Sequence, residues 1–86
     1  MYSIIIGRNA SKSLGGIPNK DAKRIADAIN DLAEDARPNG CKKLQSKGDS
    51  YRIRVGNYRI IYEINDDELL VLVVEIGDRK EIYKKK

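Results

Sequence analysis

The stretch SYRIRVGNYRIIYEI, running from Ser50 to Ile64, decides how this chain folds. Each half alternates apolar and polar side chains, the pattern of a half-buried strand. Between the halves stands Gly56-Asn57, and glycine at the first central position of a two-residue loop suits the type II′ turn of a β-hairpin. So short a loop fixes the pairing register. Val55 then faces Tyr58, Ile53 faces Ile60 and Tyr51 faces Tyr62 on one side of the ribbon, an apolar and aromatic surface fit for a core. On the other side Arg54 lies directly opposite Arg59, with Arg52 one same-face step along, opposite Ile61. Like charges directly opposed on a sheet repel. Two readings account for them: an anion or a partner's carboxylates between the heads, or long arginine stems fanning into solvent over the sheet face.

Working outward, Tyr2 to Gly7 (YSIIIG) reads as a largely buried strand that ends in glycine, and a brief helix follows it. From Lys20 to Ala36 the chain reads KDAKRIADAINDLAEDA, where Ala22, Ile25, Ala26, Ile29, Leu32, Ala33 and Ala36 recur at helical spacing. An amphipathic helix is predicted there, with Asn19 as its N-cap and Asp21 in the positive first turn. Pro38-Asn39-Gly40 ends it in a loop. Alternating, β-branched segments then predict strands near Ser50 to Val55, Tyr58 to Ile64 and Leu69 to Ile76. The last, ELLVLVVEI, carries apolar residues on both faces and so reads as central. Asn65-Asp66-Asp67 before it is an acidic, solvated turn.

A chain of 86 residues is expected to be one domain, burying only about 60% of the surface of its unfolded form. Hydrophobic residues make up 41% and charged residues 35%, a soluble globular balance, and no apolar run approaches the roughly 18 residues of a membrane span. No secretory signal is expected. Cys41 is the single cysteine and histidine is absent, so neither an internal disulfide nor a zinc site is available, and no metal or cofactor is implied. A reducing cytoplasm is the expected compartment. Charge is unevenly spread: Met1 to Ala36 holds five basic and five acidic residues, whereas Arg37 to Lys86 holds twelve basic and eight acidic, which places the whole net +4 in the second part. With a pI near 9.3, that part is the one to face an anion, and nucleic acid is favoured over an acidic protein groove. The chain finishes GDRKEIYKKK, where Arg79 and Tyr83 fall on one side of either a strand or a helix. A guanidinium beside an aromatic ring is suited to holding a phosphate while stacking its base.

The tokens KKL, YRIRVGNYRIIYEI and GDRKEIY, in that order, resemble the RelE toxins of the bacterial and archaeal RelE/ParE toxin superfamily. The resemblance takes in nearly the whole chain, including the first strand and the helix pair. It implies an α+β fold in which a small antiparallel sheet is packed with two N-terminal helices, in the order β-α-α-β-β-β, with a short C-terminal strand or tail. It implies a type II toxin, an endoribonuclease that cuts messenger RNA in the ribosomal A site and stops translation. The partners implied are the ribosome with its messenger, a cognate antitoxin that neutralises the toxin, and operator DNA only indirectly through that antitoxin. Residue by residue, the family's catalytic positions fall on Arg52, Arg54, Arg59, Arg79 and Tyr83, and Lys42, Lys43, Lys47, Lys80 and Lys84 are the accompanying RNA-binding candidates. Gln45 stands where some relatives have an arginine, and Asp78 where others have a histidine. Arginine, with a pKa above about 12, does not serve as a general base. Asp78 and Glu81 are candidate bases, or ion-pair partners of the arginines. Two rival functions stand beside the nuclease: a ParE-like poison of DNA gyrase, and a toxin that binds RNA or antitoxin without cutting.

Overall fold

The computed structural model describes residues 1–44 and 49–78. They form β1 (Ser3–Ile6), α1 (Arg8–Gly15), α2 (Asn19–Asp31), β2 (Lys42–Lys43), β3 (Ser50–Val55), β4 (Tyr58–Asn65) and β5 (Leu70–Asp78). The hairpin register is the one its turn demands, with Val55 paired to Tyr58, Arg54 to Arg59, Ile53 to Ile60 and Tyr51 to Tyr62. Gly56 takes φ of +58°, while Asn57 is not among the described non-glycine residues with positive φ. One positive φ, at the first central position, is the type II′ signature.

The strands form one sheet in the order β1-β5-β4-β3-β2. It is antiparallel from β3 to β5, as expected, and Lys42–Lys43 adds a short, unexpected antiparallel edge strand; β1, however, lies parallel to β5, so the sheet is mixed. That neighbour is remote in sequence, and no hairpin signal announces it. The edge position also corrects the reading of β1 as largely buried: Ile5 is 49% exposed and Ile6 38%. A strand paired on one side only leaves its other edge open. Gly7 follows where the chain passes hard against β5; a Cβ there would stand 3.0 Å from the Val73 carbonyl oxygen, which accepts the Gly7 N–H.

The valine doublet of β5 hides a bulge. Ile61 pairs with Glu75 but Tyr62 with Val73, which leaves Val74 as the extra residue. Val71, Val73 and Ile76 can then all be buried, and Glu75 turns to the opposite face. The helix α2 departs from expectation at both ends. Its N-cap is Pro18, without a side-chain cap bond, and Asn19 is already helical; the Pro18 carbonyl takes the first helical bond, from Ala22 N–H at 2.9 Å. At the other end the helix stops at Asp31, where Leu32, Ala33 and Glu34 donate instead to carbonyls three residues back. Leu32 and Ala36 still reach the core.

Both helices cover one face of the sheet, where Ala10, Ile25 and Ile29 meet Ile53, Ile60, Tyr62, Ile64, Val71, Val73 and Ile76. Each such aliphatic side chain stabilises the fold by roughly 1.5–3 kcal/mol. Tyr62 is fully buried and its hydroxyl donates to the Ala36 carbonyl at 2.8 Å. Burial, with Cys41 beside it, holds its phenol well above the ordinary range. Its ring stacks on Tyr51 with centroids 6.0 Å apart, an arrangement worth about 0.5–1.5 kcal/mol beyond area burial.

A clasp closes the base of the hairpin. The Arg37 Nε donates to the Tyr51 hydroxyl at 3.0 Å, and its Nη2 to Asp66 Oδ2 at 3.0 Å. The guanidinium also lies 5.1 Å from the Tyr51 ring centroid. The Tyr2 hydroxyl donates to the other Asp66 oxygen, so β1 is tied to the turn before β5. Arg37, then Tyr2, hold the Asp66 carboxyl below its usual range. The Asp66 bond in turn raises the Tyr2 phenol.

Candidate nucleic-acid interface

With the helices on one side, the other face of the sheet is left to residues that alternate outward. In register across the strands, Lys42, Arg52, Ile61 and Glu75 form one row. Arg54, Arg59 and Gly77 form the next, nearer the hairpin tip. The row that holds two facing arginines thus ends in a buried residue without a side chain. Directly opposed residues have Cβ atoms about 4.5–5.5 Å apart, so the two heads are within reach of one small anion.

The two arginines differ in exposure. Arg54 is exposed, and Arg52 half-buried. Arg59 is only 5% exposed, and its Nε is buried with no hydrogen-bond partner among the described residues. The register therefore holds and Arg59 lies on the non-core face, but it is covered there rather than fanned into solvent. A recess of about 110 Å³ is lined by Arg54, Gly56, Asn57 and Arg59. It is polar and positively charged, and a buried donor beside it lacks an acceptor. An oxyanion is the ligand that these donors fit.

Of the remaining sequence candidates, Lys42 joins Arg52 on this face. Lys43 pairs with Tyr51 and so alternates toward the other side. Asp78 pairs with Tyr58 on the helix-covered side, where both line a recess with Lys12 and Ile76; it does not face Arg54 and Arg59 as a base would. Lys47, Arg79, Lys80, Glu81, Tyr83, Lys84 and Gln45 lie outside the described residues. Sequence reasoning missed Glu75, which the bulge turns to the open face diagonal to Arg59. No mark of it is carried by the sequence, because Leu69 to Val74 is one unbroken apolar run in which an extra residue does not stand out. It also missed Arg24, an α2 residue whose guanidinium reaches the hairpin tip: a Cβ on Gly56 would stand 3.6 Å from its Nη1 and 3.8 Å from its Nη2.

The open face is polarised. Away from the arginines, a recess of about 580 Å³ is rimmed by Asp49, Glu63, Asp66 and Asp67 and floored by Leu70 and Leu72. Its charge repels phosphate, so the larger cavity is not where a nucleic-acid backbone would settle. Among the described residues, no group of three or more histidine, cysteine or acidic side chains is placed to hold a metal ion. None of their helices is long and apolar enough to cross a membrane.

This architecture has known counterparts. Residues 4–83 match the family model described as the ParE toxin of the type II toxin-antitoxin system parDE. Toxin RelE3 of Methanocaldococcus jannaschii is 33% identical over 89 residues, covering 93% of each chain. The toxin in the RelB-RelE antitoxin-toxin complex from Methanococcus jannaschii is similar in structure, with a TM-score of 0.77 and 31% identity over 94% of this chain and 96% of that one. The archaeal RelE-RelB complex from Pyrococcus horikoshii matches with a TM-score of 0.81 and 26% identity, covering 91% of this chain and 94% of that one. From its sequence and its fold alike, the chain belongs to the RelE/ParE family of type II toxin-antitoxin toxins.

Proposed function

We propose that this chain is a cytoplasmic, single-domain toxin that cleaves messenger RNA in the ribosomal A site and so inhibits translation. The observation that carries this reading is the orphaned Nε of Arg59, buried beside a recess that Arg54 also lines. An unsatisfied buried donor costs about 1–3 kcal/mol, and a phosphate oxygen bound there removes the cost. In the reaction the 2′-hydroxyl oxygen attacks the adjacent phosphorus and the bond to the 5′-oxygen breaks. A cyclic phosphate and a free 5′-hydroxyl result. Charge gathers on the non-bridging oxygens at the phosphorane, and fixed guanidinium donors stabilise it most at that point.

Arg54 and Arg59 hold the scissile phosphate in this scheme, while Arg52 and Lys42 hold the backbone beside it. The 2′-hydroxyl must lose a proton and the 5′-oxygen gain one. Glu75 is the carboxylate that the register brings nearest to Arg59 on the open face, and it is the residue assigned to accept the 2′-hydroxyl proton. Arg79 and Tyr83 are assigned on family resemblance, Tyr83 to stack on a base, and Lys47, Lys80 and Lys84 are RNA-binding candidates by their charge. Lys43 alternates to the other side of the sheet and so is not assigned to the cut strand. Relatives of this chain crystallise with RelB antitoxins, and a cognate antitoxin is the partner that would mask the arginine face.

The test is primer extension on messenger RNA from programmed ribosomes incubated with the wild-type protein and with Arg59→Ala. Discrete cuts in the A site that vanish in the variant are expected. Intact messenger with a folded, toxic wild-type protein would overturn the nuclease reading, and inhibition of supercoiling by gyrase would then point to the ParE branch.

A further inference from the structure

The hairpin tip carries cations on both of its sides, and the nuclease reading uses only one of them. Arg54 and Arg59 approach the turn from the open face. Arg24 approaches from α2 on the helix side, its guanidinium carbon 3.9 Å from where a Cβ of Gly56 would stand. Gly56-Asn57 is the turn that both groups approach. Gly56 needs its hydrogen for the left-handed φ of +58°, and it is the residue that both lines the recess and meets the Arg24 guanidinium. A Cβ at 3.6 Å would be in ordinary contact with Arg24, so it is the backbone conformation, not a clash, that demands glycine there.

Internal contacts do not use up Arg24. Its side chain is 59% exposed, and its ion pair is with Asp21, one turn back on α2, at 4.0 Å. So long and exposed a pair contributes little to stability. Arginine at this place therefore keeps most of its five donors for something outside the chain.

We propose that Arg24 is an RNA-binding residue: it contacts a backbone phosphate on the helix side of the hairpin tip, so that the strand held by Arg54 and Arg59 continues around Gly56-Asn57 rather than leaving the protein at the recess. This inference rests on the RNA reading given above. It assigns to the tip a track of three guanidinium groups, in which Arg59 acts on the reacting phosphate and Arg24 binds ground state and transition state equally. Uniform binding of that kind lowers KM without changing kcat.

The test is titration of a fluorescein-labelled single-stranded RNA with the full chain, read by anisotropy between roughly 50 and 200 mM salt, since each phosphate contact on a single strand adds about 0.7 to the slope of log K against log salt. Wild type, Arg24→Gln, Asp21→Asn and Arg59→Met are compared, each with its thermal midpoint. Arg24→Gln is expected to weaken binding roughly three- to tenfold and to reduce the slope by about 0.7, whereas Asp21→Asn, which removes a competing anion, does not weaken it. Unchanged binding in Arg24→Gln, with thermal midpoints lowered equally in Arg24→Gln and Asp21→Asn, would make the residue a helix ion pair and overturn the proposal. If Arg59→Met weakens binding and Arg24→Gln does not, the Arg24 contact fails while the RNA reading stands. If wild type does not bind the free strand, the Arg24 contact is overturned, while the ribosome-dependent reading is decided by primer extension on programmed ribosomes; if wild type binds and neither arginine variant loses affinity, both guanidinium groups lose the RNA contacts assigned to them.

Discussion

Arg37 and Arg59 sit at the two ends of the same hairpin, one at its base and one near its tip. Arg37 is the more exposed, its side chain 42% accessible, yet its Nε bonds Tyr51 and its terminal nitrogens bond Asp66. Arg59 is 5% exposed, and its Nε bonds none of the described residues. Stability alone would arrange the two the other way, with acceptors supplied where water is absent. A guanidinium satisfied from within can only hold the fold together. One left unsatisfied under cover is prepared for a ligand that brings its own oxygens.

The largest expected effect comes from exchanging each guanidinium for an apolar chain of similar length. Arg59→Met should lower the rate of messenger cleavage by about 10²–10³-fold, the cost of losing one preorganised donor to a developing oxyanion. The same substitution should raise stability by roughly 1 kcal/mol or more, because it removes an unpaired buried polar group. Arg37→Met should do the reverse, lowering the thermal midpoint while cleavage stays within a few-fold of wild type. Chemical denaturation and ribosome cleavage assays on both variants check this. A less stable Arg59→Met would mean that the guanidinium stem packs more than it pays in desolvation, and the contrast between the two ends would fail.

Next in size is Tyr62→Phe, which probes the core beneath the clasp. It leaves the buried Ala36 carbonyl without its donor and should destabilise by about 1–2 kcal/mol. Urea unfolding measures it. Cleavage should be unaffected, because Tyr62 lies on the helix-covered face. Loss of activity in a folded Tyr62→Phe would tie the two faces together and blur the distinction drawn between base and tip.

How much of this was legible in the sequence differs between the two ends. The tip was readable because its determinants are local: Gly56-Asn57 sets the turn, and the turn sets which arginine faces which. The base was not, since Arg37 meets Tyr51 across 14 positions and Asp66 across 29, and Asp66 had every mark of a merely solvated turn. The burial of Arg59 was equally hidden, because alternation assigns a face but not the cover over it. The edge placement of β1 depends on its parallel pairing with β5, at the far end of the chain. Glu75 reached the open face through one extra residue, Val74, and a period-two reading cannot anticipate a shift of that kind.

The turn between β4 and β5 supplies a smaller effect. Leu69 holds φ of +50°, the one non-glycine in the left-handed region among the described residues, and its side chain is 49% exposed. A β-carbon in that conformation costs about 1–2 kcal/mol, and glycine gives back roughly 0.5–1 kcal/mol through the entropy of the unfolded chain. Leu69→Gly should therefore stabilise the protein by about 0.5–1 kcal/mol, measured by thermal denaturation. A destabilised Leu69→Gly would show that the leucine side chain is held by contacts worth more than its strain.

The smallest effect is the pH response of the clasp, and its sign differs at the two limbs. Asp66 titrates below the ordinary carboxylate value in the folded chain because Arg37, then Tyr2, bond its charged form. Its contribution is thus fully present above the unfolded value of about 3.9 and is lost as pH falls through the lower, folded one. Tyr2 is raised, chiefly by the same bond to Asp66, so its contribution is present below about 10 and is lost as pH climbs through the folded value. Tyr62 adds to that alkaline limb through burial. Asp66→Asn should then flatten the acid limb of the stability curve and remove only part of the alkaline one, leaving the share that belongs to Tyr62. Unfolding midpoints from pH 2 to pH 11 (roughly the span between the carboxylate and phenol ranges) decide it: an acid limb unchanged in Asp66→Asn would place the clasp's protons on another carboxylate and leave Arg37 less firmly bound than the distances imply.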